Sequence, residues 1–307
     1  MKAYAVINKD KAVREKSSSG GFFSAITDGF DVIYGAAMTD DQYGVEMVRT
    51  EGDISSLRGS KYMQAKAGDT FRQVKKDLQE GKKVLFTGTG CQINGLSLFL
   101  QKDYPNLLLV DVICHGAPSS RLWKKYAEAR EAKLGKLNSV NFRCKDTGWS
   151  NYGLKENSSY IPKDQDPYMN LFLRNYALRP SCYECPAKAL KRSDITMGDF
   201  WGIDEVLPDM NDEKGTSLII IRTQKGQEAF DHIQNNLRFQ EVRYQDGVRS
   251  NPSEYSSVKY PEQRNVFYQD LEELSFADLQ RKYLKPDPLW KRAGRKIKRM
   301  IKSAIQK

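Results

Sequence analysis

The stretch KVLFTGTGCQINGLSLFLQKDYPNLLLVDVICHG, from Lys83 to Gly116, decides how the rest of the chain is read. It opens on a short apolar run, Lys83 to Phe86, which fits a buried strand closed by the glycine-containing turn Thr87 to Gly90. A helix is predicted over Gly95 to Gln101, and a second apolar strand over Leu107 to Ile113. Strand, helix, strand with both strands apolar throughout is the pattern of a parallel sheet covered on both faces. Working outward, Ala3 to Asn8, Asp31 to Ala37, Val45 to Arg49, Ile195 to Asp199 and Ser217 to Arg222 read as further strands. Phe22 to Ile26, Thr70 to Gly81, Arg121 to Leu134 and Gln227 to Asn236 read as helices, the second carrying Phe71, Val74 and Leu78 at steps of three and four. Cys144 to Ser159 reads as an interruption of regular structure, and the polar, proline-punctuated chain beyond Ser250 as a peripheral extension. The predicted fold is α/β: a mixed sheet core with helices on both faces, two closely packed halves and a C-terminal helical extension.

Composition narrows the function classes. The chain has 307 residues, 39% hydrophobic and 29% charged, enough for a sizeable core and unlike a disordered chain. No apolar run approaches the roughly 18 residues of a membrane span, and the five-residue patch Ala3 to Ile7 lacks the length of a signal peptide, so a cytoplasmic protein is predicted. The net charge of +10 is concentrated between Lys291 and Lys307, which hold eight basic residues and no acid. There Leu289, Trp290, Ala293, Ile297, Met300, Ile301, Ala304 and Ile305 recur at helical steps, predicting a basic amphipathic helix suited to peripheral contact with an acidic membrane surface. Apart from Trp290 the tail lacks stacking aromatics, and no nucleic-acid partner is expected.

Five cysteines in a chain expected to be cytoplasmic point to metal or redox chemistry rather than disulfides. Cys182-Tyr183-Glu184-Cys185-Pro186 can turn two thiolates toward one centre. Cys91 follows the first strand of the opening unit and Cys114 closes the second, so both thiols emerge at the carboxyl edge of the sheet, where open α/β sheets bind ligands. Four thiolates from three loops suit either a [4Fe–4S] cluster or a tetrahedral zinc. Cys144, between Arg143 and Lys145, has no partner by spacing. Ser17-Ser18-Ser19-Gly20-Gly21 before a helix, and Thr87-Gly88-Thr89-Gly90 between strand and helix, are candidate anion-binding turns, although neither is a P-loop or the dinucleotide fingerprint. His115, beside Cys114 at a strand end, is placed to point into a site, whereas His232 falls on a polar helix face.

Taken in order, Ser17 to Phe22, Gly59 to Tyr62, Phe86 to Gln92, Cys114 to Ser119, Cys182 to Cys185 and Arg192 to Gly202 resemble the coenzyme F420 hydrogenase/dehydrogenase beta-subunit family. The resemblance implies a flavoprotein holding FAD beside a [4Fe–4S] cluster and relaying electrons between one-electron and two-electron partners. It implies Cys91, Cys114, Cys182 and Cys185 as cluster ligands. Ser18, Ser19, Gly20, Gly21, Lys61, Thr87, Gly88, Thr89, His115 and Gly116 become flavin contacts, with Lys61 and His115 as the candidate catalytic residues. On this reading residues 1–80 form an N-terminal flavin-family region, 81–250 a flavin and iron–sulfur region, and 251–307 the extension. Gly90 stands where the family usually has proline, and the ferredoxin-like domain found in front of many relatives is not seen before residue 17. An external donor, a ferredoxin-like protein or a reduced deazaflavin, is therefore expected. The substrate is an unassigned small molecule or glycan precursor, with polysaccharide biosynthesis one setting for it. The rival reading is a noncatalytic scaffold in which the same thiols hold structural zinc and the basic tail docks to a membrane assembly.

Overall fold

A computed structural model describes residues 1–284. The predicted basic helix at Leu289 to Ile305 lies outside the described residues. Along the chain run β1 (Lys2–Asn8), α1 (Lys11–Glu15), α2 (Phe22–Ile26), β2 (Val32–Met38), β3 (Val45–Thr50), β4 (Ala65–Lys66) and α3 (Thr70–Gln79). The opening unit supplies β5 (Val84–Thr89), α4 (Gly90–Leu100) and β6 (Leu107–Val112), followed by α5 (Ser120–Leu134). Then come β7 (Val140–Cys144), β8 (Gly153–Glu156), β9 (Ser159–Pro162), α6 (Pro167–Leu173), β10 (Ile195–Asp199) and α7 (Ile203–Val206). The described chain closes with β11 (Ser217–Ile221), α8 (Gln224–Ile233), β12 (Leu237–Val242), α9 (Tyr244–Val248), α10 (Arg264–Glu273) and α11 (Phe276–Tyr283).

Nine strands form one mixed sheet in the order β12-β1-β11-β10-β6-β5-β2-β3-β4. Its centre, β10-β6-β5-β2, is parallel, and β1, β11 and β12 join antiparallel on one side. Alternation along the central strands sends apolar side chains to both faces. Leu85, Leu108 and Val110 pack with Phe22 and Ile26 of α2 and Phe230 and Ile233 of α8. Val84, Phe86, Leu107 and Leu109 pack on the other face with Val74 and Leu78 of α3 and Ile93 and Leu96 of α4. Among the described residues no helix is long and apolar enough to cross a membrane.

Two regions depart from the sequence reading. Within Cys144 to Ser159, read as irregular, β8 pairs antiparallel with β7 and β9 to make a separate three-stranded sheet. Its strands are only four or five residues long and their burial does not alternate, so they show no clear period. Beyond Ser250, α10 and α11 are not peripheral in packing: Phe267, Leu271, Phe276, Leu279 and Tyr283 are buried with Trp123 and Tyr126 of α5 and Tyr168 of α6. The polar composition there belongs to the outer faces of two short amphipathic helices.

The same core contains an enclosed carboxyl with a consequence for pH. Asp166 caps α6, accepting from the Met169 N–H at 2.7 Å, and accepts from the Tyr126 hydroxyl at 2.7 Å. Burial outweighs both bonds and, with Glu156 nearby, pushes the carboxyl up to about 6. The folded protein therefore holds this proton more tightly than the unfolded chain. The stability it contributes is complete below the ordinary carboxyl range and is lost as pH rises toward about 6. Asp166→Asn, which preserves the cap, is expected to flatten the pH dependence of the urea midpoint across that window; an unchanged slope would contradict the assignment.

Candidate functional site

The central parallel strands end together at the carboxyl edge, and the structure puts a cavity of about 710 Å³ there, within the roughly 300–1,000 Å³ of small-molecule and cofactor sites. Strand β5 runs through Thr87-Gly88-Thr89, its pairing with β6 continuing to Thr89 opposite Val112. The predicted turn is therefore strand. Helix α4 begins at once, five residues before the predicted Gly95, because the Gln92 side chain reaches back to accept the Thr89 N–H at 2.9 Å. Gly90 opens the helix in a tight place: a Cβ there would stand 3.1 Å from both the Ala187 Cβ and the Asp111 Oδ2.

This start fixes Cys91 in the first turn of α4, exposed at the cavity and 3.1 Å from the Thr89 hydroxyl. Cys114 stands just past β6, opening to the cavity but otherwise enclosed, and burial pushes its thiol up to about 12 against the pull of Lys188. The Lys188 ammonium donates to the Cys114 carbonyl at 2.6 Å and to the Ser253 carbonyl. Cys182 ends the short turn Pro180–Cys182, and its sulfur accepts the Ala117 N–H at 3.4 Å. The Cys185 N–H is held by the Ser257 hydroxyl at 2.9 Å. All four cysteines line the one cavity. Burial raises the Cys182 thiol as well, and the four are near enough that charge on Cys91 and Cys182 adds to the rise at Cys114 and charge on Cys91 and Cys185 to that at Cys182. Cys144 is buried in β7 and is not among the lining residues.

Among the described residues no three His, Cys, Asp or Glu side chains converge on a single ion. A [4Fe–4S] cube is held at separate corners, one thiolate per iron, so it asks for thiols spaced around a cavity and backed by N–H donors. Four thiols on the lining of one cavity are the donor number that either a tetrahedral zinc or a [4Fe–4S] cluster takes, and the Ala117 N–H at Cys182 is a donor of the kind that tunes cluster sulfurs.

The remaining candidates fall on the same walls with one exception. Ser18, Ser19, Gly21, Lys61, Thr87, Gly88, Thr89, His115 and Gly116 line the cavity. Gly20 does not: its N–H is taken by the Ser217 hydroxyl at 3.0 Å, and a Cβ would lie 2.2 Å from the Val6 carbonyl oxygen, so it is pressed into the sheet. Ser18 Oγ accepts the Ser60 N–H at 2.8 Å, tying the serine loop to the Gly59–Lys61 loop. Lys61 donates to the Ser56 and Arg58 carbonyls at 2.7 and 2.8 Å, while burial pulls its ammonium down to about 7. The ring nitrogen Nε2 of His115 stands 2.7 Å from the Asn175 side-chain oxygen, and burial lowers the ring below its ordinary range, favouring the neutral form.

Sequence reading passed over the groups behind this wall. Asp199, at the end of β10, lines the cavity and is gripped by the buried Arg143 fork at 2.9 Å through each oxygen, with the Trp149 indole N–H adding a third bond at 2.9 Å. The guanidinium lies 3.8 Å from the Tyr152 ring centroid, and Trp149 stacks on Trp201 at 4.9 Å. The buried run Phe142-Arg143-Cys144 is the only local hint, since an arginine enclosed at a strand end needs a partner. Arg179, Lys188 and Lys191 add cations to the lining.

Residues 81–246, just over half of the chain, match the family described as the C terminus of the beta subunit of coenzyme F420 hydrogenase/dehydrogenase. Among solved structures, a chain of the F420-reducing [NiFe] hydrogenase complex from Methanosarcina barkeri, in a xenon-derivatized form, is similar at a TM-score of 0.56 and 17% identity. The similarity covers 92% of this chain and 90% of that one, and at such identity it speaks for the fold. No curated protein matches.

Proposed function

Because the chain belongs to the coenzyme F420 hydrogenase/dehydrogenase beta-subunit family, we propose that it is an oxidoreductase that holds FAD beside a [4Fe–4S] cluster in the carboxyl-edge cavity. The observation that carries the reading is the lining: four cysteines from three segments share one cavity with the Ser17–Gly21, Lys61, Thr87–Thr89 and His115–Gly116 segments. When bound, a cluster passes single electrons and a flavin passes pairs, so the two together would join a one-electron donor to a two-electron substrate.

The chain's own residues have definable parts in this. Cys91, Cys114, Cys182 and Cys185 would hold the iron, with the Ala117 N–H and the Thr89 hydroxyl directed at two of the sulfurs. Neutral His115, fixed by Asn175, would present a ring of defined orientation to the cavity. Lys61 would set the local potential, its ammonium held by two carbonyls so that it lines the wall without swinging free. The donor would be a separate one-electron protein feeding the cluster, or a reduced deazaflavin passing its electron pair as hydride to the flavin. The neighbour's membership of a hydrogenase complex supports a protein partner.

Anaerobic purification tests the reading. The expected product is yellow-brown, with FAD and about four irons per chain; colourless protein carrying one zinc would favour the scaffold instead. Within the loaded protein, below about pH 7 where the Lys61 ammonium keeps its proton, Lys61→Ala is expected to lower the flavin midpoint potential, because a cation that stabilises the reduced, more negative ring is removed. Spectroelectrochemical titration reads this directly, and an unchanged potential with full flavin content would remove Lys61 from the site.

A further inference from the structure

We propose that Arg143 and Lys145 are positioning residues that turn the Ser17–Gly21 loop into an anion-binding surface for the phosphates of the flavin nucleotide. This rests on the flavin reading above. Arg143 lies in β7 and Lys145 directly follows the last residue of that strand, and both reach the same loop. The Arg143 side chain is 1% exposed, and beyond its fork to Asp199 it reaches the Ser18 carbonyl at 3.4 Å. The Lys145 ammonium donates to the Arg14 and Lys214 carbonyls, both at 2.8 Å, and reaches the Ser19 carbonyl at 3.5 Å. Two successive carbonyls of the loop are thus drawn toward β7.

A peptide is planar and trans, so its N–H points opposite to its C=O. Drawing the Ser18 and Ser19 carbonyls toward the cations turns the N–H groups of Ser19 and Gly20 the other way. The Gly20 N–H ends on the Ser217 hydroxyl at 3.0 Å. Of the two, the Ser19 N–H is the one with no partner among the described residues, in a loop whose Ser17, Ser18 and Ser19 line the cavity. The Arg143 charge is balanced by Asp199, so the positive field behind the loop is that of Lys145, held on the Arg14, Lys214 and Ser19 carbonyls. A purely packing role fits Arg143 poorly: its Nε–H is buried without a partner, a cost that an apolar residue of similar size would avoid.

The test compares flavins with and without phosphate on the full chain, stripped of flavin under anaerobic conditions with its iron retained. Arg143→Lys and Lys145→Met are titrated with FAD and with riboflavin, following flavin fluorescence. The expected result is an FAD dissociation constant raised roughly ten- to hundredfold in at least one variant, the effect of losing a well-aimed donor to a charged group, with riboflavin binding and iron content unchanged. A merely structural role would weaken both flavins together. That outcome, or no change for either, overturns the proposal. Lys145→Met serves if Arg143→Lys fails to fold, as judged by circular dichroism. Should the unaltered chain bind riboflavin but gain nothing from the phosphates of FAD, the positioning proposal fails while the flavin reading stands; should it bind neither, the flavin reading itself fails and takes the proposal with it.

Discussion

Cys114→Ser is expected to abolish the iron chromophore: broad visible absorption lost, iron per chain falling to near zero, and electron transfer from a one-electron donor to the flavin lost with it. The expectation follows from position. Cys114 is the most enclosed of the four candidate ligands, with a thiol that burial pushes up to about 12. Such a sulfur gives up its proton only to a strongly bound metal. It also lies close enough to Cys91 and Cys182 to feel their charges, so its loss removes a donor from the lining they share. Serine fills nearly the same space, which leaves the fold intact and isolates the loss of the ligand. Cys144→Ser is the control, since that thiol is buried in β7 and is not among the cavity lining. Iron analysis and the visible spectrum of both variants decide the matter; retention of iron in Cys114→Ser, or equal loss in Cys144→Ser, would contradict the ligand assignment.

Gly20→Ala carries the second large effect, through packing. A Cβ at this position would lie 2.2 Å from the Val6 carbonyl oxygen and 2.7 Å from the Ser217 nitrogen, both backbone atoms of paired strands. Neither can move without parting β1 from β11. The cost is that of forcing an extra carbon into a filled core, about 3 kcal/mol, and it falls on loop geometry as well as stability. The expected outcome is a lower urea midpoint together with weakened flavin binding, because the displaced loop carries Ser18 and Ser19 away from the cavity wall. Chemical denaturation and flavin titration check the two parts separately. A stable Gly20→Ala protein with unaltered flavin affinity would mean that the close approach is not what holds the loop.

Much of this arrangement is legible in the chain, for reasons that differ by element. The central strands are readable because β5 and β6 are buried on both faces and so appear as unbroken apolar runs, Val84 to Phe86 and Leu107 to Val110. Helix α3 is readable from its spacing of Phe71, Val74 and Leu78. The start of α4 is not, since Thr87-Gly88-Thr89-Gly90 has the composition of a turn. What makes it strand and helix is a partner strand more than twenty residues away in sequence and one side-chain bond from Gln92. The cysteines are visible as residues and their edge position follows from strand polarity. The cations behind the serine loop are not visible, because Arg143 and Lys145 reach it across the fold from the three-stranded sheet, over more than 120 positions of sequence. Gly20 shows the limit of motif reading from the other side: it lies inside the candidate loop yet faces the sheet.

The sharpest test of the whole account is a crystal structure of the anaerobically purified chain with anomalous diffraction recorded on both sides of the iron absorption edge. The account predicts a compact iron peak bounded by Cys91, Cys114, Cys182 and Cys185, with flavin density in the same cavity against Ser18, Lys61 and Thr87. A single zinc peak on those thiols, or cysteines left without metal while flavin binds elsewhere, would contradict it.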